Sequence, residues 1–165
     1  MLVPAILYSD NIYTEFLKKS YSEDMLNYMG CLETGIPEIQ GRDDGGLYQY
    51  AILDNDKLIG YFTYRIDWYA STAHCFGLIA FEKNNKIIGL DVYRELKKII
   101  NDYHIRRIEW RMVGGNPVER HYDKFCQRYN GRKLLLHDAI KDRFGNYHDD
   151  VIYEILFRSV KTTND

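Results

Sequence analysis

The sequence has little with which to bind by bulk charge, by metal or by disulfide. Its 22 Lys and Arg against 24 Asp and Glu leave a formal charge of −2, so no whole-molecule positive field draws it onto nucleic acid. The basic clusters that exist, Arg106-Arg107 and Lys83 with Lys86, are diluted by acidic neighbours and read as solvated faces. Cysteines number three, Cys31, Cys75 and Cys126, an odd count with no short spacing. That pattern argues against a disulfide framework and for mostly buried thiols in a reducing compartment. No apolar run is long enough to span a membrane or to form a signal peptide, so a soluble cytoplasmic protein without membrane partners is expected. The five histidines stand at no metal-ligand spacing with Cys or carboxylates, and no metal site is expected. His148-Asp149-Asp150 lies beside a hairpin turn, where solvated charge is ordinary. Neither a Gly-x-Ser-x-Gly elbow nor a Walker-type loop occurs.

Tyrosine, by contrast, is abundant: 15 in 165 residues. Most fall at alternating or helical positions and read as amphipathic packing residues, with some available to line a partly polar pocket. The length fits one domain, residues 1–160, followed by a polar tail, residues 161–165, and allows roughly 70% of the unfolded surface to be buried.

In chain order, Leu2–Tyr8 is a short apolar run interrupted by Pro4, an edge-strand signal. Asp10 can cap a helix with Ile12, Phe16 and Leu17 inward. Ser20-x-x-Glu23 resembles a capping box opening a second short helix with Met25, Leu26 and Met29, which Gly30 ends. Residues 31–46 read as a loop, long enough to suggest a lid or mouth, or simply a surface connection. Leu47–Leu53 and Leu58–Asp67 form a hairpin about Asp54–Lys57. Gly60 inside the second strand marks a bulge or the close approach of another backbone. Residues 68–73 make the next turn, and residues 132–140 and 151–158 form a terminal strand pair around Phe144-Gly145-Asn146.

The centre of the chain is a strand–helix–strand unit followed by a further helix. The strand is expected at residues 75–82. The helix places Val92, Leu96, Ile99, Ile100 and Tyr103 on one face, with Arg94, Glu95, Lys97 and Lys98 opposite. The second strand, residues 105–113, alternates Ile108, Trp110 and Met112 on one side. Gly114-Gly115-Asn116-Pro117 then breaks into a helix over residues 118–129. Such a unit implies parallel strands joined by a right-handed crossover. Any ligand is expected at the first strand's carboxyl end, beside the helix N-terminus. The whole is a mixed α+β domain with one parallel join in an otherwise antiparallel sheet.

This element order, over nearly the whole chain, resembles the GNAT superfamily of N-acyltransferases, and the local pattern agrees from about Leu78 to Gly131. The resemblance implies the GNAT fold, with helices on both faces of the sheet, and acetyl transfer from acetyl-CoA to an amine. The family's pyrophosphate loop, Q/R-x-x-G-x-G/A, falls on residues 84–89. Only Gly89 matches; Asn84 replaces the Gln or Arg, and Ile87 the first glycine. Backbone amides of Asn84, Lys86, Ile87, Ile88 and Gly89 can still cradle phosphate, with Lys83 or Lys86 adding charge. The alternative is a site that no longer binds efficiently, in a non-catalytic GNAT-like binding or interaction protein. The resemblance further assigns Asn116 to the pantetheine arm and Tyr122 to the general acid that protonates the leaving thiolate. These two lie six apart where seven is commoner in the family. Helical spacing with Phe125 and Tyr129 explains Tyr122 equally well by packing, and Asn116 before Pro117 equally well by capping. Backbone N–H groups of Ile79, Ala80 and Phe81 are the expected oxyanion donors. The candidate bases are His74, Glu82 and Asp67, with a water chain as substitute. The acceptor is expected to be an amine-bearing small molecule or a protein lysine or N-terminus. A homodimer through the terminal strand pair is compatible with the sequence.

Overall fold

The computed structural model describes residues 1–22, 24–31, 36–41 and 45–157. Strand β1 (Leu2–Pro4) leads through a 3-10 turn (Ala5–Tyr8) into helix α1 (Ser9–Ser20). A single helical turn, α2 (Met25–Tyr28), then runs directly into strand β2 (Met29–Cys31). The meander β3 (Leu47–Asp54), β4 (Lys57–Asp67) and β5 (Thr72–Ala80) follows. Helix α3 (Lys86–Asn101), strand β6 (Arg107–Val113), helix α4 (Glu119–Arg128) and the hairpin β7 (Arg132–Lys141) and β8 (Tyr147–Leu156) complete the described order. The sheet runs β1-β3-β4-β5-β6-β8-β7, with β2 attached to β5. Every pairing is antiparallel except β5 with β6.

Period-two alternation in β3 and β4 divides the core between the two faces of the sheet. Ile52, Phe62 and Tyr64 join Ile88, Val92 and Ile99 of α3 and Cys126 of α4 on one face. Ala51, Leu53 and Tyr61 join Ile12 and Phe16 of α1 on the other. The expected β3–β4 hairpin is closed by Asn55 and Asp56, both at positive φ (45° and 65°), as a two-residue turn of this twist requires. Gly60 is where sequence expected a close approach: a Cβ there would stand 2.9 Å from the Ile79 carbonyl oxygen. Pro4 does lie on an edge strand, paired with Tyr50.

Several expectations are corrected. The second helix is one turn long and is not ended by Gly30; residues 29–31 are extended because they find a strand partner in β5. The strand expected at residues 75–82 lies at Thr72–Ala80, and the last strand begins at Tyr147 rather than Val151. Cys75, expected in a buried strand, is exposed. Glu95, expected on the solvent face of α3, is 8% exposed. Its carboxylate accepts hydrogen bonds from Tyr64 (2.6 Å) and Tyr50 (3.2 Å), with the Lys98 ammonium 3.7 Å away. Helical periodicity cannot register such a partner, which comes from a strand more than thirty residues upstream. Glu23 of the expected capping box, Arg158 of the expected last strand, much of the 31–46 loop and the 161–165 tail lie outside the described residues.

Burial, then the Glu95 carboxylate, pushes the Tyr50 phenol up to about 12. The same two causes raise Tyr64 further. Both therefore stay protonated and donate across the range in which the protein is studied. Tyr64 also stacks on Tyr48 (centroids 4.8 Å apart) and Phe76 (5.4 Å), so its ring is held independently of its hydroxyl. Tyr64→Phe should therefore keep the packing and lose a charge-assisted hydrogen bond, at a cost of about 2 kcal/mol. Urea unfolding measures it; a loss no larger than that of Tyr50→Phe would assign Tyr64 to packing alone.

Candidate functional site

The site begins with a backbone irregularity. Thr63 pairs with Gly77 and Arg65 with His74, so β5 carries one more residue than β4 across this step. The bulge falls at Cys75, whose φ is +51°. A bulge of this kind bends its strand and interrupts pairing. On the other side of β5, pairing with β6 is confined to Thr72 with Arg107 and Ala73 with Ile108. Beyond that point the two parallel strands separate and form a fork. The short strand β2 enters it, pairing Met29 with Ile79 and Cys31 with Leu78 and lying next to β6. Met29 and Cys31 are buried there, 9% and 4% exposed.

Asn116 and Tyr122 both reach this fork. The Asn116 amide nitrogen donates to the carbonyls of Leu26 and Met29, both at 2.9 Å. Its Oδ1 accepts from the Val118 N–H at 3.1 Å, closing the turn that precedes α4. The expected cap is corrected, because α4 starts at Glu119 with Val118 as its N-cap and Pro117 lies in the turn before it. The Tyr122 hydroxyl lies 3.4 Å from the Cys31 sulfur. Burial, reinforced by that thiol, pushes the Tyr122 phenol well above its ordinary value. Its ring meets Trp110 edge-on at 5.8 Å and Tyr153 at 6.1 Å. Tyr122 thus packs as its periodicity suggests and also presents a protonated hydroxyl to the fork. Trp110 is 6% exposed, and its indole N–H has no hydrogen-bond partner among the described residues.

The loop expected to hold phosphate turns at Asn84 (φ +60°) into α3. Asn85, which sequence reasoning passed over, is the helix N-cap, its Oδ1 accepting from the Ile87 N–H at 3.0 Å. An Asn immediately before the first helical repeat was the available signal. Lys83 forms an ion pair with Asp24, and its ammonium lies 4.5 Å from the centre of the Tyr28 ring. At Gly89 an added Cβ would meet nothing within 4 Å. No protein neighbour demands this helical glycine, which costs about 1 kcal/mol against Ala, and the space before it is open. A helix start, a nearby lysine and an unfilled glycine surface fit an anionic group of the coenzyme A kind.

The remaining candidates are placed as follows. Phe81 N–H donates to the Ile59 carbonyl at 2.8 Å. Ile79 is flanked by both Tyr61 and Met29, and Ala80 pairs with Gly60. Glu82 forms an ion pair with Lys57 and accepts a hydrogen bond from Asn85 at 3.2 Å; these partners hold its carboxyl below the usual range. A base for proton removal near neutrality is better served by a raised carboxyl. The His74 Nδ1 lies 3.1 Å from the sulfur of Cys75, at the bulge. Asp67 accepts from the Ala70 N–H at 2.9 Å and shapes the β4–β5 turn. Lys86 and Ile88 occupy the first turn of α3, with Ile88 in the core. Two surface depressions are present: one is lined by Asn11, Glu15, Lys57, Leu58 and the candidate residues Phe81 and Glu82, another by Met1, Leu2, Asp91, Arg94, Glu95 and Lys98. Among the described residues no group of His, Cys, Asp and Glu could hold a metal ion, and no helix is long and apolar enough to cross a membrane.

The paired carboxylates set the acid limit of the fold. Arg132 and Arg107 hold Glu154 below its ordinary range, and Lys133 and the Tyr153 hydroxyl do so for Asp123. Folded values below unfolded ones contribute stability that is present above about pH 4 and lost as pH falls through the folded values. Thermal melts should be flat between about pH 6 and 8 and should fall below about pH 4. A main step near pH 6.5 would instead point to a histidine.

A mixed sheet forked at its one parallel pair, with a helix starting beside the fork's end, is the acyl-CoA N-acyltransferase fold. The chain belongs to the acetyltransferase (GNAT) domain family, whose model matches residues 6–117. The match ends before Tyr122. Curated protein sequences return no match. Among solved structures, the chain is similar to a Salmonella typhimurium acetyltransferase that modifies the N-terminal serine of ribosomal protein L7/L12, at 17% identity and TM-score 0.67, covering 95% of this chain and 94% of that one. It is similar also to the ribosomal L7/L12 N-acetyltransferase RimL in complex with coenzyme A, at 16% identity and TM-score 0.66, covering 92% and 89%. The spermidine/spermine N-acetyltransferase SpeG of Vibrio cholerae aligns at 19% identity and TM-score 0.55, over 68% of this chain and 66% of that one. The chain spans 63% of a probable acetyltransferase aligned at TM-score 0.54.

Proposed function

We propose that the protein transfers an acetyl group from acetyl-CoA to an amine. The observation that carries this reading is the forked pair β5 and β6 with the Tyr122 hydroxyl and the Asn116 amide facing into it. Acetyl-CoA, when bound, supplies an acyl group activated as a thioester. The chain's residues then act on binding, orientation and protons. The N-terminus of α3, with Lys83 or Lys86, would hold the phosphates, while the Asn116 amide and the edge of β5 would position the pantetheine arm once released from residues 24–31. The C–N bond forms as the C–S bond breaks, and the proton lost by the attacking amine is balanced by the one the departing sulfur gains. Tyr122, kept protonated by its surroundings, is the group at the fork able to donate that proton. Removing the amine proton falls to His74 at the bulge or to a water chain, since Glu82 is committed to Lys57 and Asn85 and Asp67 stands opposite Thr72, at the closed end of the β5–β6 pair. The family membership supports an amine acceptor, either a polyamine-like small molecule or a protein lysine or N-terminus. A cytoplasmic location fits such substrates.

Titration with acetyl-CoA, followed by an acyl-transfer assay on polyamines and on peptides with a free N-terminal serine, tests the proposal. Binding together with transfer to one amine class supports it; no binding at high micromolar acetyl-CoA sinks it. A second reading, a GNAT-like binding protein without turnover, is favoured by one observation: β2 fills the fork. Acetyl-CoA binding without transfer to any amine would select it.

A further inference from the structure

The residues assigned to the cofactor are satisfied in order by one stretch of the chain itself. The Asp24 carboxylate pairs with Lys83, and the Tyr28 ring lies under the same ammonium. The Leu26 and Met29 carbonyls accept both hydrogen bonds from the Asn116 amide. Met29 and Cys31 then pair with Ile79 and Leu78 along the edge of β5, and the Cys31 thiol comes to Tyr122. Coenzyme A has the same succession of chemical groups: anionic phosphates, two amides in an extended arm, and a terminal thiol. The polarity also agrees, with the anion at the start of α3 and the thiol at the depth of the fork.

We propose that residues 24–31 are an internal stand-in for coenzyme A, occupying its cleft, so that acyl-CoA enters only when this segment withdraws. The inference rests on the cleft assigned under Proposed function. Met29 and Cys31 are buried between β5 and β6, and the Asn116 amide has no hydrogen to spare for a ligand while Leu26 and Met29 hold it. The stand-in competes intramolecularly, so its local concentration does not fall on dilution. The apparent affinity for coenzyme A is reduced by the fraction of molecules in which the cleft is open. Withdrawal would free the Asn116 amide, the Tyr122 hydroxyl and Lys83 together, coupling arm, thiol and phosphate recognition to one local movement.

Two substitutions, both within residues 24–31, weaken the stand-in while leaving every residue assigned to coenzyme A in place. Gly30→Ala places a Cβ 2.7 Å from a Leu78 methyl and 3.3 Å from the Tyr122 hydroxyl, a crowding that Leu78 or β2 must relieve by shifting and that weakens the seat of the strand. Asp24→Asn removes the carboxylate from Lys83 at a partly exposed position and poses little risk to folding. The experiment measures coenzyme A affinity by calorimetry on the full chain and both variants. It adds hydrogen exchange of residues 24–31 with and without the ligand, and circular dichroism to confirm folding. The expected result is that both variants bind coenzyme A more tightly, Gly30→Ala by about tenfold or more, and that coenzyme A increases exchange in residues 24–31. Coenzyme A binding to the parent chain with residues 24–31 still protected, and no tighter binding by either variant, overturns the stand-in and leaves the cofactor reading intact. No coenzyme A binding by any of the three folded proteins overturns the cofactor reading, and the stand-in with it.

Discussion

Tyr122→Phe should lower the rate of acyl transfer by about 10²-fold or more, with no loss of affinity for acetyl-CoA. The magnitude is what a positioned proton donor contributes. The substitution isolates that role because the ring is held separately from the hydroxyl: Trp110 and Tyr153 meet it edge-on at 5.8 and 6.1 Å. What is lost is the proton and the contact to the Cys31 sulfur. Loss of that contact loosens residues 24–31, so the apparent affinity for acetyl-CoA should stay level or improve while turnover falls. The change in KM is thus opposite to that expected from removing a cofactor-binding residue. Stability should fall by no more than about 1 kcal/mol, the net worth of one hydrogen bond. Steady-state kinetics with a saturating amine reads the effect. A decrease of only a few-fold would reduce Tyr122 to a packing residue of α4.

Trp110→Ala should destabilise the fold by about 3–5 kcal/mol, the range for removing a large buried ring. Trp110 stands on β6 at the wall of the fork, stacked on Tyr153 at 4.9 Å and edge-on to Tyr122 and Phe125 at 5.8 and 5.9 Å. It is the ring through which the sheet, α4 and the terminal hairpin meet. Its indole N–H adds nothing to this among the described residues, having no partner there. Trp110→Phe should therefore cost far less, about 1 kcal/mol, by keeping an aromatic surface and leaving no polar group behind. Chemical denaturation of the two variants gives the contrast. Equal losses for Ala and Phe would mean that the indole nitrogen has a partner important to folding. A small loss for both would mean that the ring cluster contributes little. The Ala variant should also lose acyl transfer, because the Tyr122 ring loses a support.

Sequence and structure agree where a property is local. The hairpin turn at Asn55-Asp56 follows from residue types that adopt positive φ, and α3 from a repeat that closes every few residues. Pro4 on an edge strand and Gly60 against a neighbouring backbone follow from what those residues lack, an N–H in one and a Cβ in the other. Expectations failed where a long-range partner decided the outcome. Glu95 looked like a solvent-facing residue until Tyr64 and Tyr50 were brought to it from the sheet. Gly30 looked like a helix end until β5 offered a strand to pair with.

The candidate site divides in the same way. Gly89 at an open helix start and Tyr122 on the inner face of α4 were legible, because each depends on its own element and its neighbours in sequence. Asn116 was not, since it stands in the turn before α4 and its amide is engaged by Leu26 and Met29. The sequence by itself determined the order of the elements other than β2 and the one parallel join. Only the tertiary structure decided what the candidate residues face. Cys31 reaches Tyr122 across 91 positions and Asn116 reaches Met29 across 87. No periodicity extends over such distances, and closing those loops is a decision of the whole sheet: a bulge at Cys75 opens the fork, and residues 24–31 are the part of the chain that fills it.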